Sequence, residues 1–263
     1  MTAIFRQLCI KKVSGTVLSA GQINSDHVWL VSIENWFGEY RMGRAPRADE
    51  AGGIYHALNR GNGRHDIFLK EADFEAFEQV IKEGLEKFPV DLIAYQWMGN
   101  HWHMVLSPQV DGGMSAFVGW ITLTHTQRYH AYHGTVGYGH VYQGRFKSFP
   151  VQDDDHFHTV CRYVERNSLT ARIVDRAEDY RWGSLYNWLG GDSVIELSAW
   201  PIRRLPRWVD RVNEALTKTE LTAIRHCVAR GKPFGDEGWS AATAKRSGLE
   251  STIRPPGRPK KNT

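Results

Sequence analysis

The stretch from Val90 to Leu106 constrains the fold most. Val90–Met98 is strand-like, Gly99-Asn100 suits a tight turn, and His101–Leu106 is the partner strand. On such a strand His101 and His103 project to one face of the sheet and Trp102 to the other. Ahead of the hairpin, Phe74, Phe77, Val80, Ile81, Leu85 and Phe88 recur at helical spacing until Pro89 stops the run.

The neighbouring segments complete a pattern. Ile54–Asn59 alternates apolar and polar residues, Met114–Tyr132 reads as a second helix, and Phe146–Val151 reads as a last strand. Asp153–Asp155 can cap a helix running to about Leu169. Strand, helix, hairpin, helix, strand, helix is a split βαβ order, so the expected class is α+β with a ferredoxin-like antiparallel sheet. Helices are expected on one face, leaving the histidine face free for a ligand or a second subunit. This unit is expected over residues 42–190. Residues 191–263 form a small helical region, with helices at Lys218–Ala229 and Ser240–Ser247 around a Gly-rich turn in a weak helix-turn-helix pattern. Residues 1–41 fit poorly with the rest. They are either a small β-rich extension or upstream sequence translated from an early start codon, and Met42 before a self-contained pattern favours the second.

Composition narrows the setting. The chain has 263 residues and ten Trp, enough to bury a core. No apolar run reaches the roughly 18–20 residues a membrane span needs, and no secretory signal is evident. Cys9, Cys161 and Cys227 lack metal-type spacing, which suggests the reducing cytoplasm. The net charge is +4, yet residues 245–263 alone carry six basic residues against Glu250. A basic, Pro-rich end on a near-neutral body suits either a nucleic-acid contact or a solubilising tail.

The chemistry lies in a combination of residues. Tyr163 and Asn167 are four apart in the last expected helix and share one of its faces. If that helix crosses the His101–His103 strand, two imidazoles, an amide oxygen and a phenol converge. Neutral imidazoles with an amide suit a divalent ion such as Mn²⁺ or Mg²⁺. A phenol of pKa near 10 is a poor nucleophile unless a nearby cation stabilises its anion. Arg162 and Arg166 add charge around it, and Glu165 reads as solvent-facing. Each feature has a bland alternative: sheet histidines can simply hydrogen-bond, and a lone helical tyrosine usually packs. A second pair, His156 and His158, sits in a helix where i and i+2 diverge by about 200° and cannot share a ligand.

Three segments together resemble the single-tyrosine HUH transposases, especially the REP-associated tyrosine transposase branch of the IS200-like group. They are Tyr55-His56-Ala57-Leu58-Asn59-Arg60-Gly61-Asn62, Met98-Gly99-Asn100-His101-Trp102-His103-Met104-Val105-Leu106 and Arg162-Tyr163-Val164-Glu165-Arg166-Asn167. Tyr180-Arg181-Trp182-Gly183-Ser184 matches a further recurring feature. The resemblance runs from about Met42 to Asn187; Ser168 departs from it, since many members have proline there. It implies His101, His103 and Asn167 as metal ligands, Tyr163 as nucleophile, and a catalytic domain often working as a dimer. It further implies attack of the phenolate on a phosphate of single-stranded or hairpin DNA, leaving a 5′-phosphotyrosine and a free 3′-hydroxyl. Arg60, Arg64, Arg145 and Lys147 are candidates for a backbone cradle. Tyr138, Tyr142 and Phe146 are candidates for stacking bases, with core packing as the alternative. Arg258, in a Gly-Arg-Pro tail, resembles a minor-groove contact. Two other readings remain at this point: a binding module that grips hairpin DNA or RNA without cutting, and a metal hydrolase with water as nucleophile.

Overall fold

The computed structural model describes residues 47–254. The expected 1–41 extension and Arg258 lie outside the described residues. Strand β1 (Ile54–Arg60) leads into helix α1 (Glu71–Lys87), hairpin β2 (Val90–Met98) and β3 (His101–Pro108), helix α2 (Gly113–His133) and strand β4 (Lys147–Val151). The sheet order is β2-β3-β1-β4 with every pairing antiparallel. That is the expected split βαβ topology, and the protein is α+β.

The period of two along each strand sorts the core into two layers. Trp97, Trp102, Met104 and Leu106 face α1 and α2, where they meet Phe77, Val80, Ile81, Phe117 and Ile121. The opposite face carries Ile93, Val105, Phe149 and Val151. Helix α3 (Asp155–Glu165) lies on that face with Phe157, Val160, Cys161 and Val164 turned inward. Helices therefore cover both faces, and the expectation of a helix-free histidine face is corrected. The reason is visible in α3 itself: apolar residues at i, i+3, i+4 and i+7 need a surface to cover, and the β-branched and aromatic side chains of this face supply it.

The helix read as running to about Leu169 is interrupted at Arg166, and a short α4 (Asn167–Thr170) follows. His156 and His158 diverge on α3 as expected, one bonded to Asp154 and the other to the Arg203 carbonyl. Downstream come α5 (Ser184–Trp188), α6 (Trp208–Asn213), α7 (Lys218–Arg230), α8 (Glu237–Arg246) and α9 (Glu250–Ile253). Thr217 and Glu220 form a capping box at the start of α7, and Gly231, at φ 72°, ends it in the left-handed region that glycine adopts without strain. The two C-terminal helices expected from the sequence are α7 and α8. Helices α6 and α7 pack into the core of the histidine face, since Trp208, Val212, Ile224 and Cys227 share a cluster with Val105 and Phe149, whereas Ala244 of α8 belongs to the other cluster. Among the described residues no helix is long and apolar enough to cross a membrane.

Glu78 on α1 is buried and accepts a hydrogen bond from Ser193 Oγ at 3.3 Å. Burial pushes its carboxyl up from the ordinary 4.5 to about 7. The folded chain thus keeps this proton in a range where the unfolded chain has lost it. Glu78 accordingly favours folding below pH 4.5, and that contribution is lost as pH rises to about 7. Melting temperatures of Glu78→Gln should fall less between pH 5 and 7.5 than those of the parent chain.

Candidate active site

The histidine face is built where β1, β3 and α3 meet. Antiparallel register sets Arg60 opposite His101 and Leu58 opposite His103. His56, Leu58 and Arg60 therefore project to the same face as the two histidines. The rings of His101 and His103 lie 5.1 Å apart at an interplanar angle of 88°. Tyr163, carried by α3, meets the ring of His103 at 5.7 Å in an edge-on contact, and that of His56 at 6.1 Å. Helix α3 thus brings Tyr163 against His103, whose ring also meets that of His101. Asn167 lies just past the break at Arg166, half-buried, and its amide makes no hydrogen bond among the described residues.

The hydrogen bonds around the imidazoles fix the proton of His101 and restrict that of His103. Asn100 Nδ2 donates to the Arg64 carbonyl at 3.1 Å, which fixes the amide and turns Oδ1 toward His101. His101 Nδ1 lies 2.6 Å from that oxygen and must donate to it, leaving Nε2 a bare lone pair. His103 Nδ1 and His56 Nε2 share a proton across 2.9 Å, between rings inclined by only 7°. With that proton on His103 Nδ1, its Nε2 is bare as well. Histidines that bind a metal hold the other ring nitrogen in this way.

Electrostatics act in the same sense. Burial lowers His101 to about 4, helped by the charge of Arg60, and lowers His56 to about 3. Burial and the neighbouring His56, His101 and Arg60 hold His103 well below the usual range. All three rings are neutral at pH 7, the state in which imidazole is a ligand. Burial pushes the phenol of Tyr163 up, with Arg225 and then Arg60 pulling it down. The phenol stays protonated unless further positive charge is brought to it. Among the described residues no three His, Cys, Asp or Glu side chains could hold a metal together.

Several expected residues serve other purposes. Arg162 donates from Nε to the Arg211 carbonyl and pairs with Glu220, while Arg166 donates to the carbonyls of Val212 and Asn213. Those carbonyls end α6, where unsatisfied acceptors and the helix dipole favour a cation, so both arginines brace the fold instead of surrounding the phenol. Glu165, read as solvent-facing, is buried and accepts hydrogen bonds from Ser184 Oγ at 2.8 Å and Trp208 Nε1 at 2.7 Å. Tyr142 is a core residue, bonded to Trp102 Nε1 and His125 Nδ1, and Phe146 is buried beneath Arg47. Tyr138 alone of the three stacking candidates is exposed. Arg64, Arg145 and Lys147 are exposed, as is Arg60.

Residues 51–167 match the family model described as Transposase IS200 like. That stretch runs from β1 to the start of α4 and carries His56, His101, His103, Tyr163 and Asn167. Over that stretch, somewhat under half of its length, the chain is similar to the IS200-like transposases. Among solved structures, a REP-associated tyrosine transposase bound to a REP hairpin is similar, with TM-score 0.49 and 15% identity over 62% of this chain and 99% of that one. A Deinococcus radiodurans R1 protein described as a transposase gives TM-score 0.34 and 16% identity over 47% of this chain and 94% of that one. No curated protein matches the sequence.

Arg60 and Arg166 should separate in experiment. Arg166→Ala removes charged hydrogen bonds to helix-end carbonyls and should lower unfolding free energy by about 2 kcal/mol in urea titrations. Arg60→Ala, on an exposed side chain with no hydrogen-bonded partner among the described residues, should change it by less than about 0.5 kcal/mol.

Proposed function

We propose that this chain is a metal-dependent DNA strand transferase of the REP-associated type, acting on single-stranded or hairpin DNA through a phosphotyrosine. The observation that carries the reading is the 5.7 Å approach of the Tyr163 ring to His103 from a different element. Together with neutral imidazoles, of which His101 has a bare Nε2, it supports a nucleophile beside a cation site. His101 and His103, with Asn167 as third donor, would hold a divalent ion such as Mn²⁺ or Mg²⁺. When bound, such an ion lowers the phenol's pKa and neutralises charge on a phosphoryl oxygen.

The chain's own groups account for the rest. Tyr163 Oη gives up its proton to solvent water and attacks phosphorus, forming the Tyr–O–P bond as the strand's 3′-oxygen leaves with the electron pair of the broken P–O bond. The leaving 3′-oxygen takes a proton and becomes a hydroxyl. The phosphodiester count is unchanged, so a 3′-hydroxyl can reverse the step on a new strand. Arg60, whose charge reaches both the phenol and the imidazoles, holds the phosphate and offsets its developing charge. Arg225 on α7 also lowers the phenol's pKa through its charge. Arg64, Arg145 and Lys147 complete the backbone contacts.

Labelled hairpin DNA incubated with the protein and Mn²⁺ or Mg²⁺ should give a denaturation-resistant adduct. Tyr163→Phe should abolish that adduct while leaving hairpin binding within about twofold, because only the hydroxyl is lost. Binding without any adduct from the parent chain points to a non-cleaving module. Cleavage that survives in Tyr163→Phe points to water as the nucleophile.

Asn100 supplies a second test. Asn100→Ala frees the His101 ring to turn and to change tautomer. Mn²⁺ affinity, read by electron paramagnetic resonance titration without DNA, should fall about 10- to 100-fold. Unchanged affinity would mean that His101 does not bind the ion through Nε2.

A further inference from the structure

Helices α1 and α2 enclose a cavity of about 200 Å³ on the side of the sheet that Trp102 faces, opposite to Tyr163. From α1 come Ala72, Ala76 and Val80, spaced four apart on one helix face. From α2 come His125, Tyr129 and His133, again four apart. The two alanines end at Cβ, which leaves the space between the helices open.

His125 is the buried polar group of this cavity, with 4% of its surface exposed. Its Nδ1 lies 2.6 Å from the Tyr142 hydroxyl, which also accepts from Trp102 Nε1 at 3.2 Å. An indole nitrogen only donates, and the Tyr142 proton has no other acceptor among the described residues. The phenol therefore donates to Nδ1. Burial lowers His125 to about 4, so at neutral pH the ring keeps one proton, and that proton sits on Nε2. Nε2 has no hydrogen-bonded partner among the described residues. Unlike Nδ1 of His56 it is not sealed off, so it opens into the cavity that its ring lines.

The charges nearby are already answered. Asp73 accepts from the Leu69 and Lys70 amides and pairs with His133. Arg128 is held by both oxygens of Glu83, and Lys70 donates to the Tyr132 hydroxyl. A charged occupant would meet no unpaired countercharge.

The geometry points to a binding site for a small, neutral, flat heteroaromatic molecule that accepts a hydrogen bond from His125 Nε2 and lies against the Tyr129 and His133 rings. Each part of that description has its own cause. A buried donor without an acceptor is costly, which favours a ring with a lone pair over a hydrocarbon. Contacts between aromatic rings add to the burial of apolar area. An apolar cavity of about 150 Å³ accepts benzene, so the slightly larger one here suits two fused rings. The cavity shares no residue with the candidate active site, and its occupancy is independent of the strand-transferase reading.

The probe is quinoline, which has two fused rings, one ring lone pair and no charge at neutral pH. It is titrated into full-length protein carrying nitrogen-labelled histidine, read by nuclear magnetic resonance. In the free protein the His125 signals should report the proton on Nε2; a proton on Nδ1 overturns the proposal. Quinoline should move those signals saturably, with half-saturation on the order of 0.1–1 mM for a ligand of about ten heavy atoms. N-methylquinolinium, which is charged and lacks the lone pair, should bind at least about tenfold more weakly. Ala76→Leu and Ala72→Leu, at exposed positions of α1, should each fill the space and weaken quinoline about tenfold or more. Melting curves identify which of the two folds like the parent, and either one suffices. No saturable shift, equal binding of N-methylquinolinium, or unchanged quinoline affinity in a folded leucine variant overturns the proposal.

Discussion

The seating of α3 across the histidine face of the sheet is the interaction on which the site depends. Phe157, Val160, Cys161 and Val164 are fully buried against Ile93, Val105 and Phe149. Burying a large apolar side chain contributes about 1.5–3 kcal/mol, so the stripe holds the helix with several kcal/mol. Tyr163 sits beside Val164 at the flank of that stripe. Its position over His103 is thus set by packing that involves no polar group of the site, the kind of rigid support that the proposed role of a nucleophile requires.

The C-terminal helices add to that rigidity from outside. Trp208 and Ser184 satisfy both oxygens of buried Glu165, two residues from Tyr163, and Arg162 and Arg166 close the open end of α6. These contacts fasten α3 on the side away from the sheet. They also explain why a chain segment with three charged residues around its tyrosine does not present those charges to a substrate. The charges answer acceptors and donors that come from 19 to 58 residues away.

What the sequence made legible follows this division. The period of two through His101-Trp102-His103 and the period of 3.6 through Phe74–Phe88 are local, and the hairpin, helices and shared face of the two histidines could be read from them. The pairing of β1 with β3 is not local. His56 sits 47 residues from His103, and only the register reveals that its ring supports the second histidine. A single histidine in an alternating strand carries no such signal. Arg162 and Arg166 were misread for the same reason, since α6 and its unsatisfied carbonyls lie about 45 residues downstream. The covering of the second face was legible in principle, because the stripe in α3 is as regular as that of α1. Arg225 was not, because nothing in the pattern of α7 says that it docks beside Tyr163.

Burial by itself sets the two halves of the site against each other. Removing water disfavours every charged form, which keeps imidazole neutral and ready to bind a cation but also keeps phenol protonated and unreactive. Positive charge resolves the conflict, because it lowers the pKa of both kinds of group. Arg60 acts on His101, His103 and Tyr163 in that one direction, and Arg225 adds to its effect on the phenol. A carboxylate near the phenol would do the opposite, raising the cost of the phenolate and favouring charged histidines. Glu165 is the carboxylate closest in sequence, and its two oxygens are turned to Ser184 and Trp208. Its sequestration is as much a part of the phenol's setting as the arginines are.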